Sequence, residues 1–237
     1  MNACHDTDHS CKSCGHTGME LSCVHLVPIF NHLHSSQMDE IMAVARSRTY
    51  KKGELIYRAG ETSSKLYIVS RGRMKIYRLS ESGKEQVIRF LHPGDFTGEY
   101  ALFNESIHES YAEAMEETSV CTIERADLQQ LLLKFPTIAL KLLQEFSVRL
   151  ESLERQTTLV GTETVETRLA LFLLDCMEEE NADTFHLPMS KKDLASFLGT
   201  TPETISRKLR ELEEAGMIEQ LTHKRIRIVD KDRIQFV

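Results

Sequence analysis

Residues 189–216 constrain this chain more tightly than any other stretch. Ser190, with Asp193 three residues on, has the form of a capping box that opens a helix. Ala195 falls where a second helix has to cross, so its side chain must be small. Gly199, four residues later, supplies the backbone freedom of a sharp helix stop. Thr201 offers a cap for the next helix, and Pro202 suits its first position. Ile205, six residues after Gly199, returns an apolar side chain to the crossing. Small residue, glycine and branched apolar residue at this spacing specify a helix-turn-helix.

The second helix of such a motif lies in the major groove with its N-terminal side chains forward. Glu203, Ser206 and Arg207 are the side chains aimed at bases. An Arg chelates guanine through O6 and N7, and a Glu accepts from cytosine N4. Thr201, Thr204 and Arg210 complete the candidate contacts on this helix. Glu and Arg four residues apart also form an ordinary surface pair, so these residues take their meaning from the motif around them. After Gly216, Met217 to Leu221 and Arg225 to Val229 read as two short strands joined by a basic tip, a wing. Lys224, Arg225 and Arg227 are candidate phosphate contacts, which set affinity and salt dependence rather than sequence choice. The expected partner is double-stranded DNA.

The overall charge of −7 argues weakly against nucleic acid. Its distribution does not. From Lys191 to Val237 there are ten Lys/Arg and eight Asp/Glu, a balance of +2 that leaves −9 for the rest. The basic excess therefore sits where a DNA-binding face is needed. With 237 residues, 41% of them apolar, the chain can build two modest cores. No apolar run has the length of a membrane span, and the N-terminus lacks a secretory pattern, which reads as cytoplasmic.

Upstream, residues 1–24 are a polar, Cys/His-rich arm. Ser36 to Arg46 reads as an amphipathic helix with Met38, Ile41, Met42 and Val44 as its apolar set. From Thr49 to about Glu124, β-prone runs alternate with turn signals: Leu55 to Tyr57, Lys65 to Val69, Met74 to Tyr77, Gln86 to Phe90, Tyr111 to Met115 and Val120 to Ile123. Six of the eleven glycines (Gly53, Gly60, Gly72, Gly83, Gly94, Gly98) punctuate them. That spacing belongs to a sandwich or barrel, read here as a β-roll. A short helix, Leu128 to Lys134, stops at Pro136. Ala139, Leu143, Phe146, Leu150, Leu153, Thr157 and Val160 then repeat at steps of four and three, a heptad seam on an otherwise polar helix, which predicts a parallel homodimer. Gly161 is expected to interrupt that helix as a hinge before another, Val165 to Met177. The predicted class is α+β. Its parts are an arm (1–24), a β-roll sensor domain (25–135), a dimerisation helix (136–161) and a winged helix-turn-helix domain (162–237).

This order of parts resembles the CRP/FNR superfamily of bacterial regulators, from about Val27 to the end. Pro93 to Phe103 looks like the family's phosphate-cassette stretch, and Thr204 to Leu209 like its recognition helix. The Glu203, Ser206, Arg207 trio is similar to the FNR branch, whose members read TTGAT-type half-sites. The resemblance implies a cyclic-nucleotide-binding-type β-roll, a palindromic DNA site and RNA polymerase as a further partner. Members that bind cyclic AMP carry an Arg-Ser pair after the Gly-Glu pair. Here Gly98 and Glu99 are present, but the later pair is Glu109 and Ser110. A carboxylate facing an anionic phosphate is repulsive, which speaks against a cyclic nucleotide.

The six cysteines are Cys4, Cys11, Cys14, Cys23, Cys121 and Cys176. Cys176 lies in the apolar run from Leu169 and reads as a small buried hydrophobe. The resemblance to FNR-type oxygen sensors assigns Cys11, Cys14, Cys23 and Cys121 to a [4Fe-4S] cluster, with a longer gap from Cys14 to Cys23 than in the better-known pattern. Two alternatives use the same region. Zinc takes Cys4, Cys11, Cys14 and Cys23, or a mix with His9 or His16. A thiol switch pairs Cys11 with Cys14, exchanging with Cys23. An enzyme of the cupin type needs convergent metal-binding histidines. The roll offers only His92 and His108, each near a turn and expected to face solvent. No Ser/His/Asp set or phosphate loop appears either, so the chain reads as a non-enzyme.

Overall fold

The computed structural model describes residues 27–100 and 106–237, with all side chains in them except those of residues 155, 156 and 160. The chain divides into two compact units. One holds the chain up to Lys75 together with Phe90–Glu145, and the other holds Ile76–Arg89 and Phe146–Val237.

A short helix, α1 (Ser35–Val44), precedes the roll and buries Met38 and Ile41. Met42 and Val44 are only half-buried, so its apolar stripe is narrower than the sequence suggests. The roll contains β1 (Arg46–Tyr50), β2 (Leu55–Tyr57), β3 (Thr62–Ser63), β4 (Lys65–Arg71), β5 (Met74–Leu79), β6 (Glu85–Leu91), β7 (Phe96–Thr97), β8 (Ser106–Ile107), β9 (Tyr111–Ala114) and β10 (Thr118–Glu124). One sheet runs β1-β10-β4-β7, a second β2-β9-β5-β6, and β3 pairs with β8. Leu66, Ile68, Phe96, Val120 and Ile123 are almost wholly buried. Each side chain of this size contributes about 1.5–3 kcal/mol on leaving water. The six glycines expected at turns all adopt positive φ. β1 escapes the sequence pattern because four of its five residues are exposed and show no alternation.

His108 departs from expectation. It is 7% exposed, not solvent-facing, because the chain after β8 turns its ring inward. The imidazole stacks on Tyr57 at 3.8 Å, with Tyr67 edge-on at 5.9 Å. Burial lowers its pKa and keeps it neutral. His92 is exposed.

Two helices follow, α2 (Arg125–Lys134) and α3 (Pro136–Thr162). Leu128, Leu131, Ile138 and Leu142 are buried. Pro136 starts α3 rather than merely ending α2, since its missing N–H costs nothing in a first turn. Gly161 does not interrupt α3, which runs through it to Thr162. A single glycine costs a helix only about 1 kcal/mol, too little to break it by itself. The break comes two residues later, where the Thr164 hydroxyl accepts the Thr167 N–H and opens α4 (Val165–Glu180).

α4 buries Leu169, Ala170, Leu173, Leu174, Cys176 and Met177, and ends at Asn181 in the left-handed region. Burial pushes the Cys176 thiol up to about 12, which fits its reading as an inert core residue. β11 (Thr184–His186), α5 (Lys191–Phe197), α6 (Pro202–Glu214), β12 (Ile218–Gln220), β13 (Arg225–Ile228) and α7 (Lys231–Ile234) complete the chain. The wing is a three-stranded sheet, β11-β13-β12. Only β12 and β13 were legible beforehand, because β11 is three residues long and its partner is forty residues away.

Gly98 illustrates how tightly the roll is drawn. Its φ is 87°, and a Cβ there would lie 2.2 Å from the Lys65 carbonyl oxygen. Gly53 has φ 81° but open space around it. Gly98→Ala is expected to lower unfolding free energy by roughly 3 kcal/mol, from strain plus collision. Gly53→Ala should cost only about 1 kcal/mol, for conformation alone. Urea denaturation of both variants checks the contrast.

Candidate nucleic-acid interface

The local chemistry of the helix-turn-helix follows the sequence closely. Ser190 accepts the Asp193 N–H at 3.1 Å, and its hydroxyl donates to the Asp193 carboxylate at 2.6 Å, which fixes the start of α5. Ala195 is 1% exposed and Ile205 fully buried, on two helices that pack against each other. Gly199 has φ 69°. The Thr200 N–H bonds the Ala195 carbonyl at 2.8 Å and the Gly199 N–H reaches that of Ser196 at 3.4 Å, the paired bonds of a Schellman stop. Thr201 caps α6 by accepting the Thr204 N–H at 3.3 Å, with Pro202 in the first turn.

This places the predicted reading residues together. Glu203, Ser206, Arg207 and Arg210 line one shallow open groove with Pro202 on the outer face of α6. The Glu203 carboxyl lies below the usual carboxylate range, held first by its own backbone N–H and then by the Thr201 hydroxyl. It is therefore an anion and an acceptor at neutral pH. Thr201 and Thr204 point their hydroxyls at each other, 3.2 Å apart, so both serve the cap before they serve a ligand.

Beneath this face runs a ladder of ion pairs that single-sequence spacing shows only in part. Arg207 lies 3.5 Å from the Glu211 carboxylate, whose second oxygen lies 2.6 Å from Lys208 Nζ. Lys208 reaches across to Glu166 on α4 at 2.5 Å. Hydrogen bonds to Glu166 and then Glu211 raise the Lys208 pKa, and the Lys208 ammonium in turn lowers that of Glu211. The steps of three and four along α6 are readable in sequence. The partner Glu166 is tertiary and is not.

The wing tip places Lys224 and Arg225 in solvent. Arg227 is less available than expected, because it pairs with Glu219 on the neighbouring strand. Glu213, near the end of α6, fastens β12. It accepts from the Gln220 N–H at 2.7 Å and from the Gln220 side-chain amide at 2.9 Å.

In the roll, Cys121 sits near the middle of β10, opposite Ser47 and Ile68, and is 2% exposed. It is disulfide-bonded, and its partner lies outside the described residues. Cys4, Cys11, Cys14 and Cys23, His9 and His16, and residues 101–103 of the cassette-like stretch all lie outside them too. Glu109 is exposed. Among the described residues no group of His, Cys, Asp and Glu is arranged to hold a metal, and no helix is long and apolar enough to cross a membrane.

The Glu213 clamp yields a specific expectation. Glu213→Ala leaves the Gln220 N–H without its acceptor at a half-buried site, which costs about 1–2 kcal/mol. Hydrogen exchange at the Gln220 amide should accelerate, while amides of α5 stay protected.

Comparison with known proteins agrees with this geometry. Residues 47–135 match the cyclic nucleotide-binding domain, and residues 167–236 match the Crp-like helix-turn-helix domain. The chain is 37% identical to the probable transcriptional regulator flp of Lacticaseibacillus casei over 217 residues, which is 92% of this chain and 98% of that one. It is 29% identical to the transcriptional activator protein FnrA of Stutzerimonas stutzeri, covering 93% of this chain and 88% of the relative. The structure of FixK2 from Bradyrhizobium japonicum superposes with a TM-score of 0.72 at 31% identity, covering 81% of this chain and 96% of that one. The roll, the long helix and the reading head thus identify the chain as a DNA-binding transcription regulator, not an enzyme, belonging to the CRP/FNR family.

Proposed function

We propose that this regulator binds a palindromic site with TTGAT-like half-sites as a homodimer, and that the redox state of its cysteines governs that binding. The observation that carries the DNA reading is the single exposed face of α6 on which Glu203, Ser206, Arg207 and Arg210 converge. Lys224 and Arg225 on the wing supply phosphate contacts. RNA polymerase is the further protein partner, a reading supported by relatives that carry the name of transcriptional activators.

The dimer reading rests on α3. Leu143, Leu150 and Leu153 are 60%, 59% and 49% exposed, and Phe146 between them is half-buried. Ala139 is half-buried and Thr157 exposed, while the side chain of Val160 lies outside the described residues. A solvated leucine stripe at heptad spacing is stabilised by a second copy of the same helix. Thr157 weakens that seam, since its hydroxyl bonds back to the Leu153 carbonyl at 2.8 Å. Twofold protein then meets twofold DNA.

For the signal, Cys11, Cys14, Cys23 and Cys121 together offer four thiolates, the donor set of a [4Fe-4S] cluster. Cys121 suits the anchoring role, because neighbouring strands hold its backbone on both sides. Such a cluster supplies an oxygen-labile centre. A second reading has no cluster, and a dithiol–disulfide pair that includes Cys121 is the switch. The disulfide at Cys121 is the observation that supports it. Zinc held by the N-terminal cysteines and histidines is the remaining alternative. A cyclic nucleotide is not the signal in this proposal, because Glu109 stands where an Arg would meet the phosphate.

Operator affinity measured on protein purified without air, before and after oxidation, tests the signal. A change of tenfold or more supports redox control; iron and sulfide content then separates the cluster from the disulfide. Equal affinities, with no visible absorbance band, dismiss it. For the reading face, Arg207→Ala is expected to cost about 1–3 kcal/mol and relax choice at one base position. Arg225→Ala should weaken all duplexes alike and flatten the salt dependence. Binding assays over single-base operator variants distinguish the two.

A further inference from the structure

β6 lies at the end of its sheet, so one row of its backbone groups has no neighbouring strand. Such an edge is normally blunted or covered. Here a serine of the helix-turn-helix covers part of it. The hairpin of β5 and β6, Ile76–Arg89, falls in the same compact unit as the C-terminal domain. Ser196 of α5 accepts the Val87 N–H at 2.8 Å and donates its own proton to the Glu85 carbonyl at 2.7 Å. One hydroxyl thus completes a donor and an acceptor two residues apart on the strand. In return, the Gln86 side-chain amide donates to the Ser196 carbonyl at 2.6 Å, one of the last carbonyls of α5 and so lacking a full intrahelical partner. Ser196 is 8% exposed, and Val87 is almost wholly buried. Lys192 and Glu85 add an exposed pair at 3.5 Å.

We propose that Ser196 is a positioning residue for DNA binding: it latches the helix-turn-helix onto the outer edge of β6 and so fixes the direction in which α6 is presented. The inference rests on the reading of α6 as the DNA-contacting helix. Ser196 belongs to none of the DNA-facing groups, and the groove of Glu203, Ser206, Arg207 and Arg210 stays open while the latch is closed. α6 follows α5, because the two helices pack together, with Ala195 and Ile205 buried and Gly199 making the turn. Whatever holds α5 therefore aims α6. Without the hydroxyl, two strand-edge groups favour water over the docked state, and the head loses its fixed direction. Two heads in a dimer must then be ordered on each encounter with DNA, which lowers affinity without altering which bases are read.

The test uses the full chain carrying Ser196→Ala, with Gln86→Ala as an independent variant on the opposite side of the latch. Alanine suits the helix at position 196, and circular dichroism and melting temperature verify the fold. Hydrogen exchange at the Val87 amide is expected to accelerate, and operator affinity to fall roughly tenfold, the loss that one or two neutral hydrogen bonds represent. Base preference across single-base operator variants should stay as in the wild type, unlike that of Arg207→Ala. Unchanged Val87 exchange overturns the latch. Faster exchange with unchanged operator affinity overturns the positioning role. A wild-type chain with no preference among duplexes would instead sink the DNA reading itself, a result separable from either.

Discussion

Everything this protein does with DNA passes through the crossing of α5 and α6, and that crossing depends on the absence of a side chain. Two helices approach at the spacing of a helix-turn-helix only where the contact residue is small. Ala195 provides that, Ile205 fills the space from the other side, and Gly199 reverses the chain with a positive φ. A larger residue at 195 pushes α6 away from α5 and swings the whole reading face. The caps at Ser190 and Thr201 then set where each helix begins, so that Glu203 and Arg207 fall on the first two turns rather than further along. Packing fixes the angle and capping fixes the phase, and base recognition needs both.

Electrostatics works on a shorter range than the net charge suggests. A chain of −7 binds a polyanion when its cations are gathered on one face and its anions are paired behind it. Glu166 and Glu211 do this by engaging Lys208, and Glu219 by engaging Arg227. The same pairing aligns α6 with α4. Lys208 is mostly covered by its partners, so its contribution is orientation more than free energy. Arg207 is held only loosely by Glu211 at 3.5 Å, which leaves its guanidinium available for the base contact proposed for it.

Local rules were legible in the residues, and long-range ones were not. The two caps, the Schellman stop at Gly199, the six turn glycines and the core strands follow from spacing and backbone preference, which a single sequence displays. β11 was invisible because it exists only by pairing with β13. β1 was invisible because an exposed strand carries no alternation. The burial of His108 is not legible in the sequence, because proximity to a turn says nothing about which way a ring points, and Tyr57 and Tyr67 decide that from other strands. Gly161 looked like a break, yet the capping hydroxyl of Thr164 outweighs one permissive residue. Among the site residues, those on α6 could be named in advance because they belong to one helix. Glu166 and Ser196 make their contacts only with partners far along the chain, at Lys208 and at Glu85 and Val87.

Cys121 and Ser196 share a design. Each is a small, almost fully buried residue set against strand backbone, Cys121 within β10 and Ser196 beside the edge of β6. Around Cys121 the flanking strands supply backbone partners on both sides, so the sheet does not depend on its sulfur. Around Ser196 the strand edge is met by a side chain rather than by another strand, through the Val87 N–H and the Glu85 carbonyl. A rigid attachment point suits a group that receives a chemical signal, because the signal is passed on rather than absorbed by local rearrangement. A contact closed by a few neutral hydrogen bonds suits the aiming of a DNA-reading head, because its stability is small enough to be biased. In the redox reading proposed above, Cys121 is the rigid input and Ser196 the adjustable output of a two-state regulator.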